Sequence, residues 1–384
     1  MNIAQMMISA AKTQICGAPS ESFGNLSQKQ LESLYNLSKA HDMAHIVATE
    51  LDSQGLLDNS EICNKFRHQQ FVAFMRYERI NYELEETVRI FEAKKIEYIP
   101  LKGAVMRKFY EEPWMRTSSD IDILVKKEQL DSAAQFLTEE LGYENHGINV
   151  HDLHMYAPSG VHLELHFDTV EDYRAVNANA ILQRIWDNST LRENKSFCYD
   201  INDDMFYFYH IAHMAKHFEE SGCGVRFFID LWLLRHKMQY DNEKREKLLR
   251  EGGLLKFAQA AEQLSDVWFS GAEYNDVAFR MESYIIAGGI YGSRENRMAT
   301  VQIKKGGKIG YALSRIFLPY KSLVQYFPSL EKRKILLPFY HVLRWGKIIF
   351  GGGVNRSIDE LKTSSRVADT RTDNIQIMLK ELGL

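Results

Sequence analysis

Ser119-Asp120-Ile121-Asp122-Ile123-Leu124-Val125 is the stretch whose reading decides the fold. It has the apolar, β-branched character of a buried strand, yet carries two carboxylates one residue apart. Side chains alternate across a strand, so Asp120 and Asp122 are expected on one face, with Ile121, Ile123 and Val125 on the other. Two like charges side by side are unfavourable unless a cation lies between them. Oxygen-only ligands suit a hard ion such as Mg²⁺ or Mn²⁺. Taken alone, the spacing fits an Asp pair at a solvent-facing strand edge equally well.

The flanking sequence extends the pattern on both sides. Upstream, Ile96–Leu101 reads as a strand and Lys102-Gly103 opens a short helical stretch through Tyr110. A loop over 111–119 then carries Pro113, Trp114 and Arg116. Downstream, the spacing predicts a helix over 128–141, closed by Gly142 in a left-handed cap. Two further strands are expected, 154–157 and 161–167, across the Pro158-Ser159-Gly160 turn. The second alternates strictly, with Val161, Leu163, Leu165 and Phe167 on one face and His162, Glu164 and His166 on the other. A third carboxylate therefore projects from a strand, away from its apolar face.

Around this core the periodicity is helical. Ile80, Leu84, Val88 and Phe91 recur at three- and four-residue steps, and 205–218, 227–237 and 254–269 also read as helices. The expected fold class is α+β, a small mixed sheet with flanking helices within a mainly helical chain. The expected organisation is an N-terminal helical region over 1–92, the core over 93–170, a helical domain packing on it over 171–300, and a basic aromatic helical region over 301–384.

At 384 residues, with 45% hydrophobic and 26% charged residues, the composition is that of an ordinary globular protein. A net charge of −4 gives no global reason to expect nucleic-acid binding. Cys16, Cys63, Cys198 and Cys223 are far apart and form no CxxC pair, so neither a zinc ribbon nor a disulfide framework is expected. The sequence begins without a basic stretch leading into an apolar one and shows no apolar run of roughly 18 residues, so a cytoplasmic location is expected. The polar tail from Gly351-Gly352-Gly353 onward reads as partly flexible.

The order Leu101-Lys102-Gly103, Arg116, Asp120-Ile121-Asp122-Ile123-Leu124-Val125, His162-Leu163-Glu164-Leu165-His166 resembles the nucleotidyltransferase superfamily, of DNA polymerase β type. More narrowly it resembles an uncharacterised nucleotidyltransferase family found in bacteria, often beside polysaccharide-synthesis genes. The motif-bearing resemblance covers about residues 95–170. It implies Mg²⁺-dependent (or Mn²⁺-dependent) transfer of a nucleoside monophosphate from an NTP, with two ions about 4 Å apart on the attacking and leaving oxygens. Asp120 and Asp122 would bridge those ions. Glu164 would complete the metal site and help take the acceptor's proton. Lys102, Gly103, Arg116 and Ser119 would serve the nucleotide: Gly103 by close backbone approach at a helix start, Lys102 and Arg116 by charge. The wider superfamily carries Gly-Ser or Gly-Gly at that helix start. Here it is Lys102-Gly103-Ala104, so a serine contact to the triphosphate is absent.

The resemblance implies a small molecule or sugar phosphate as acceptor, with a protein or tRNA, or a non-catalytic nucleotide-binding role, as the alternatives. His210, His213 and His217 share one helix face. With Asp230 they could hold zinc, line an acceptor pocket together with His166, or simply pack. The segment 304–347 holds ten Lys and Arg against Glu331 alone, interleaved with aromatic residues. It could contact an anionic surface, a phosphorylated substrate, a membrane face or RNA, or present solvated helix faces.

Overall fold

The computed structural model of the chain describes residues 1–169, 176–290, 292–350 and 369–384, and the glycine-rich start of the expected tail lies outside them. Four helices open the chain: α1 Ile3–Gln14, α2 Gln28–Ala40, α3 Ala44–Ser53 and α4 Glu61–Lys94. Helix α4 is one uninterrupted run of 34 residues. Ser60 caps its start by accepting from the Cys63 N–H, and Lys95 ends it in the left-handed region. The core then runs β1 Tyr98–Pro100, α5 Lys102–Met106, β2 Asp120–Val125, α6 Leu130–Leu141, β3 Glu144–Ile148, β4 Asp152–Tyr156 and β5 His162–His166. Gly142 closes α6 at φ 71, as its sequence predicts.

The five strands form one mixed sheet in the order β1-β2-β5-β4-β3. β2 and β5 are parallel, with Asp122 opposite Glu164, whereas β5 and β4 are antiparallel, with Glu164 opposite His154. Alternation divides the sheet into two unlike faces. Ile121, Ile123, Val125, Leu153, Met155, Leu163 and Leu165 bury against Ile80 and Phe91 of α4 and Leu130, Ala133 and Leu137 of α6. This burial anchors the strands. The other face carries the carboxylates and imidazoles.

The sequence assigns only helical patterns after Ala178, but the chain first forms α7 Val176–Leu182 and a small hairpin, β6 Ser189–Leu191 with β7 Tyr199–Ile201. Strands of three residues are too short to show a period. Helices α8 Asp203–Glu220, α9 Val225–Lys237, α10 Asn242–Glu251, α11 Leu255–Phe269, α12 Asp276–Ile286 and α13 Arg294–Lys304 build the second core together with α1, α2, α3 and the start of α4. Beyond them lie α14 Gly307–Ile316, α15 Tyr320–Tyr326, α16 Leu337–Phe350 and a last helix, Asp369–Leu382. No helix among the described residues is long and apolar enough to cross a membrane.

His45 of α3 ties the N-terminal helices to the loop ahead of β2, its Nε2–H donating to the Met115 carbonyl at 2.9 Å. Burial holds this imidazole below its ordinary pKa, against smaller opposing pulls from that carbonyl and Asp42. The neutral ring is therefore the form that folds, and its contribution is full above about pH 6.5 and lost as pH falls below it. His45→Gln keeps a donor but cannot titrate. Its thermal midpoint is expected to lie below wild type at pH 8, with the gap narrowing towards pH 5. A gap constant with pH would contradict this.

Candidate functional site

One cavity of about 310 Å³ lies between the polar face of the sheet and helices α8 and α9. It is lined by Lys102, Gly103, Arg116, Ser119, Asp120, Asp122, Glu164, His166, His210, His213, His217 and Asp230, the whole set singled out in the sequence. The register explains the convergence. Asp120 and Asp122 share a face of β2, and the parallel neighbour β5 puts Glu164 beside Asp122 on that face.

Within the cavity the carboxylates do not stand alone. Lys102 Nζ donates to Asp122 Oδ1 at 2.8 Å, and His166 Nε2 reaches the same oxygen at 2.9 Å and Glu164 Oε2 at 3.4 Å. Burial by itself would raise the Asp122 carboxyl, but Lys102 and His166 hold it well below the usual carboxylate range. Asp120 behaves oppositely: burial and then the Asp122 charge push it up. The cation that the paired carboxylates call for is thus partly supplied by the protein, on the Asp122 side. Lys102 holds its position at φ 45, in the left-handed region where a non-glycine residue costs roughly 1 kcal/mol or more.

Gly103 follows at close quarters. A Cβ there would sit 3.3 Å from Ser118 Cβ, so a side chain would crowd the loop leading into β2. Arg107 braces that loop, donating to the Arg116 carbonyl at 3.3 Å and to Ser118 Oγ. Burial and the nearby Arg116 charge bring the Arg107 guanidinium down to about 10.

Arg116 lines the cavity, but its fork is engaged. It grips Asp230 through Nε at 2.9 Å and Nη2 at 2.8 Å, while Tyr110 donates to the same carboxylate at 2.7 Å. This buried pair ties the loop before β2 to α9. His210 donates to the Phe227 carbonyl at 3.1 Å. His213 and His217 meet edge to face, and burial pushes both well below the ordinary histidine pKa.

Among the described residues, two groups bring one ligand atom from each member within 4.8 Å of the others: Asp122, Glu164, His166 and His154, His162, Glu164. The three α8 histidines with Asp230 form no such group. Three carboxylates share one sheet face, Asp120 among them raised by burial and then by its like-charged neighbour, and the two groups that could hold a divalent cation join Asp122 and Glu164 to histidine nitrogens.

Several lining residues escaped the sequence reading: Asn149, His151, Asp152 and His154 from the β4 side, and Lys216 and Arg226 from the helices. The signal for β4 was present. Asp152, His154 and Tyr156 alternate with Leu153 and Met155, starting two residues before the expected strand. Lys216 and Arg226 carry no local pattern that separates them from solvated helix charges.

A family described as "Uncharacterised nucleotidyltransferase" matches residues 27–270, which span the whole sheet together with α8 and α9. No curated protein matches the chain, and no solved structure does. A match over more than half of the 384 residues, with the sheet and cavity inside it, shows that the chain belongs to this nucleotidyltransferase family.

Proposed function

We propose that the protein is a Mg²⁺-dependent (or Mn²⁺-dependent) nucleotidyltransferase that moves a nucleoside monophosphate from an NTP to a hydroxyl or phosphate of a small molecule or sugar phosphate. The observation that carries this reading is the register pairing of Asp122 with Glu164 on the face that also bears Asp120, walled by Lys102 in the same cavity. Asp120, Asp122 and Glu164 would hold the divalent cation or cations. A cation bound there would offset charge on the α-phosphate and on the departing pyrophosphate.

The chain's own residues account for the remainder of the chemistry. The acceptor oxygen bonds to the α-phosphorus as the bond to the pyrophosphate oxygen breaks. In-line attack needs both partners held in one orientation. Glu164, kept ionised by the His166 hydrogen bond against the opposing effect of burial, is placed to receive the acceptor's proton. Lys102 is cationic beside Asp122 and available to the triphosphate. Arg116 contributes by fixing the loop through Asp230 rather than by a free fork. Its charge still lies at the cavity wall.

The cavity volume falls in the range of small-molecule sites and suits the nucleotide, and the small acceptor is the part of the proposal that needs its own readout. Incubating the protein with Mg²⁺, each α-labelled NTP and a cell extract split by size tests this. A new labelled low-molecular-weight product, resolved from the NTP and its hydrolysis products, is expected with wild type and absent with Asp122→Asn. Label appearing only on protein or tRNA would replace the acceptor assignment. Identical behaviour of wild type and variant with all four nucleotides would remove the enzymatic reading.

A further inference from the structure

We infer that the region formed by α14 to α16 is a docking surface for an anionic lipid bilayer, on which the protein lies without crossing it. The inference is independent of the nucleotidyl-transfer reading. Over 304–347 the net charge is strongly positive, with Glu331 the sole acid among ten Lys and Arg. The structure adds what the sequence does not contain. Large apolar side chains of this region stand in solvent, among them Ile335 at 90% exposure, Ile309 at 78% and Val342 at 70%. Of the 23 exposed large hydrophobic residues among the described ones, ten fall in this segment, a density that lone surface residues do not reach.

The apolar positions lie on outward helix faces, not in poorly filled cores. On α16, His341 meets Phe317 edge to face, and Arg344 donates to the carbonyls of Arg315 and Ile316, so the 341/344 side faces α14. Phe339, Val342 and Leu343 occupy the exposed side. On α14, Tyr311 is buried while Ile309 and Leu313, one turn apart, are exposed. Lys332, Arg333, Lys334 and Lys347 are exposed in the same segment. Apolar faces bordered by cations are the pattern of helices that lie in the headgroup region of anionic membranes.

Charge and side-chain type together select this occupant. RNA would be met by cations and aromatic stacking, and Phe317, Tyr326 and Phe339 do stand in solvent here, but the three most exposed apolar residues of the segment, Ile335, Ile309 and Val342, are aliphatic and offer no ring to a base. A second copy would bring an equally positive surface against the first.

Flotation of the full chain with vesicles of phosphatidylcholine containing one-third phosphatidylglycerol, against pure phosphatidylcholine, tests the inference. Binding is expected only to the anionic vesicles at 50 mM salt, with release at 500 mM. The Phe339→Asp/Val342→Asp double variant is expected to lower partitioning more than tenfold, and Lys332→Glu/Arg333→Glu/Lys334→Glu on the order of 100-fold. Unchanged far-UV circular dichroism and thermal midpoints would show that both variants fold. If one unfolds, single Val342→Asp and Lys332→Glu serve in its place. Three results would overturn the inference: no preference for anionic vesicles; binding to RNA homopolymer that the Asp variant leaves intact, without vesicle binding; or a concentration-dependent dimer, without vesicle binding, that Val342→Asp dissolves.

Discussion

Asp122→Asn is expected to lower nucleotidyl transfer by three orders of magnitude or more while the protein still folds. Asp122 is buried, faces Glu164 across the β2–β5 pair, and accepts from both Lys102 and His166. An amide keeps the size but loses the charge that a divalent cation requires. Charge stabilisation by a metal is worth several kcal/mol in the transition state, at about 1.36 kcal/mol per tenfold in rate. The fold is expected to survive because Lys102 is 22% exposed and can stay hydrated. A modest fall in thermal midpoint is therefore expected beside a near-total loss of transfer. Asp120→Asn and Glu164→Gln should behave alike, and a variant retaining wild-type transfer would remove that carboxylate from the site.

The largest structural effect is expected at Asp230. Its carboxylate holds the Arg116 fork through both oxygens and accepts from Tyr110, and both charged side chains are more than nine-tenths buried. Asp230→Ala leaves a buried guanidinium uncompensated, which costs about 3–5 kcal/mol. In a chain of this size that corresponds to a drop in thermal midpoint on the order of 10 °C. The double variant Arg116→Met/Asp230→Leu removes both charges and is expected to recover part of the loss, the sign that distinguishes an orphaned charge from lost packing. If Asp230→Ala melts within 2 °C of wild type, the pair does not hold the loop before β2 in place.

How much of this was legible in the sequence depended on local periodicity. β5 declares itself by strict alternation, and α6 by its apolar stripe and Gly142, so the sheet face bearing Asp120, Asp122 and Glu164 could be read directly. β3 could not. It is an edge strand exposed along its whole length, Glu144-Asn145-His146-Gly147-Ile148, and no burial imposes a pattern on it. The partners within the cavity were equally invisible. Arg116 and Asp230 are 114 residues apart, and no local signal separates an arginine aimed at a phosphate from one aimed at a distant aspartate. The His210/His213/His217 face was legible as a face. What that face meets depends on α9, which supplies Phe227 to all three rings.

The most direct test of the central claim follows the two ends of the nucleotide separately. Wild-type protein, Mg²⁺, an acceptor-containing extract and the NTP are incubated twice, once with the label on the α-phosphate and once on the γ-phosphate. The predicted result is that the α-label moves to an acceptor while the γ-label leaves as pyrophosphate, both blocked by Asp122→Asn. Movement of the γ-label onto the acceptor, or transfer undiminished in Asp122→Asn, would contradict it.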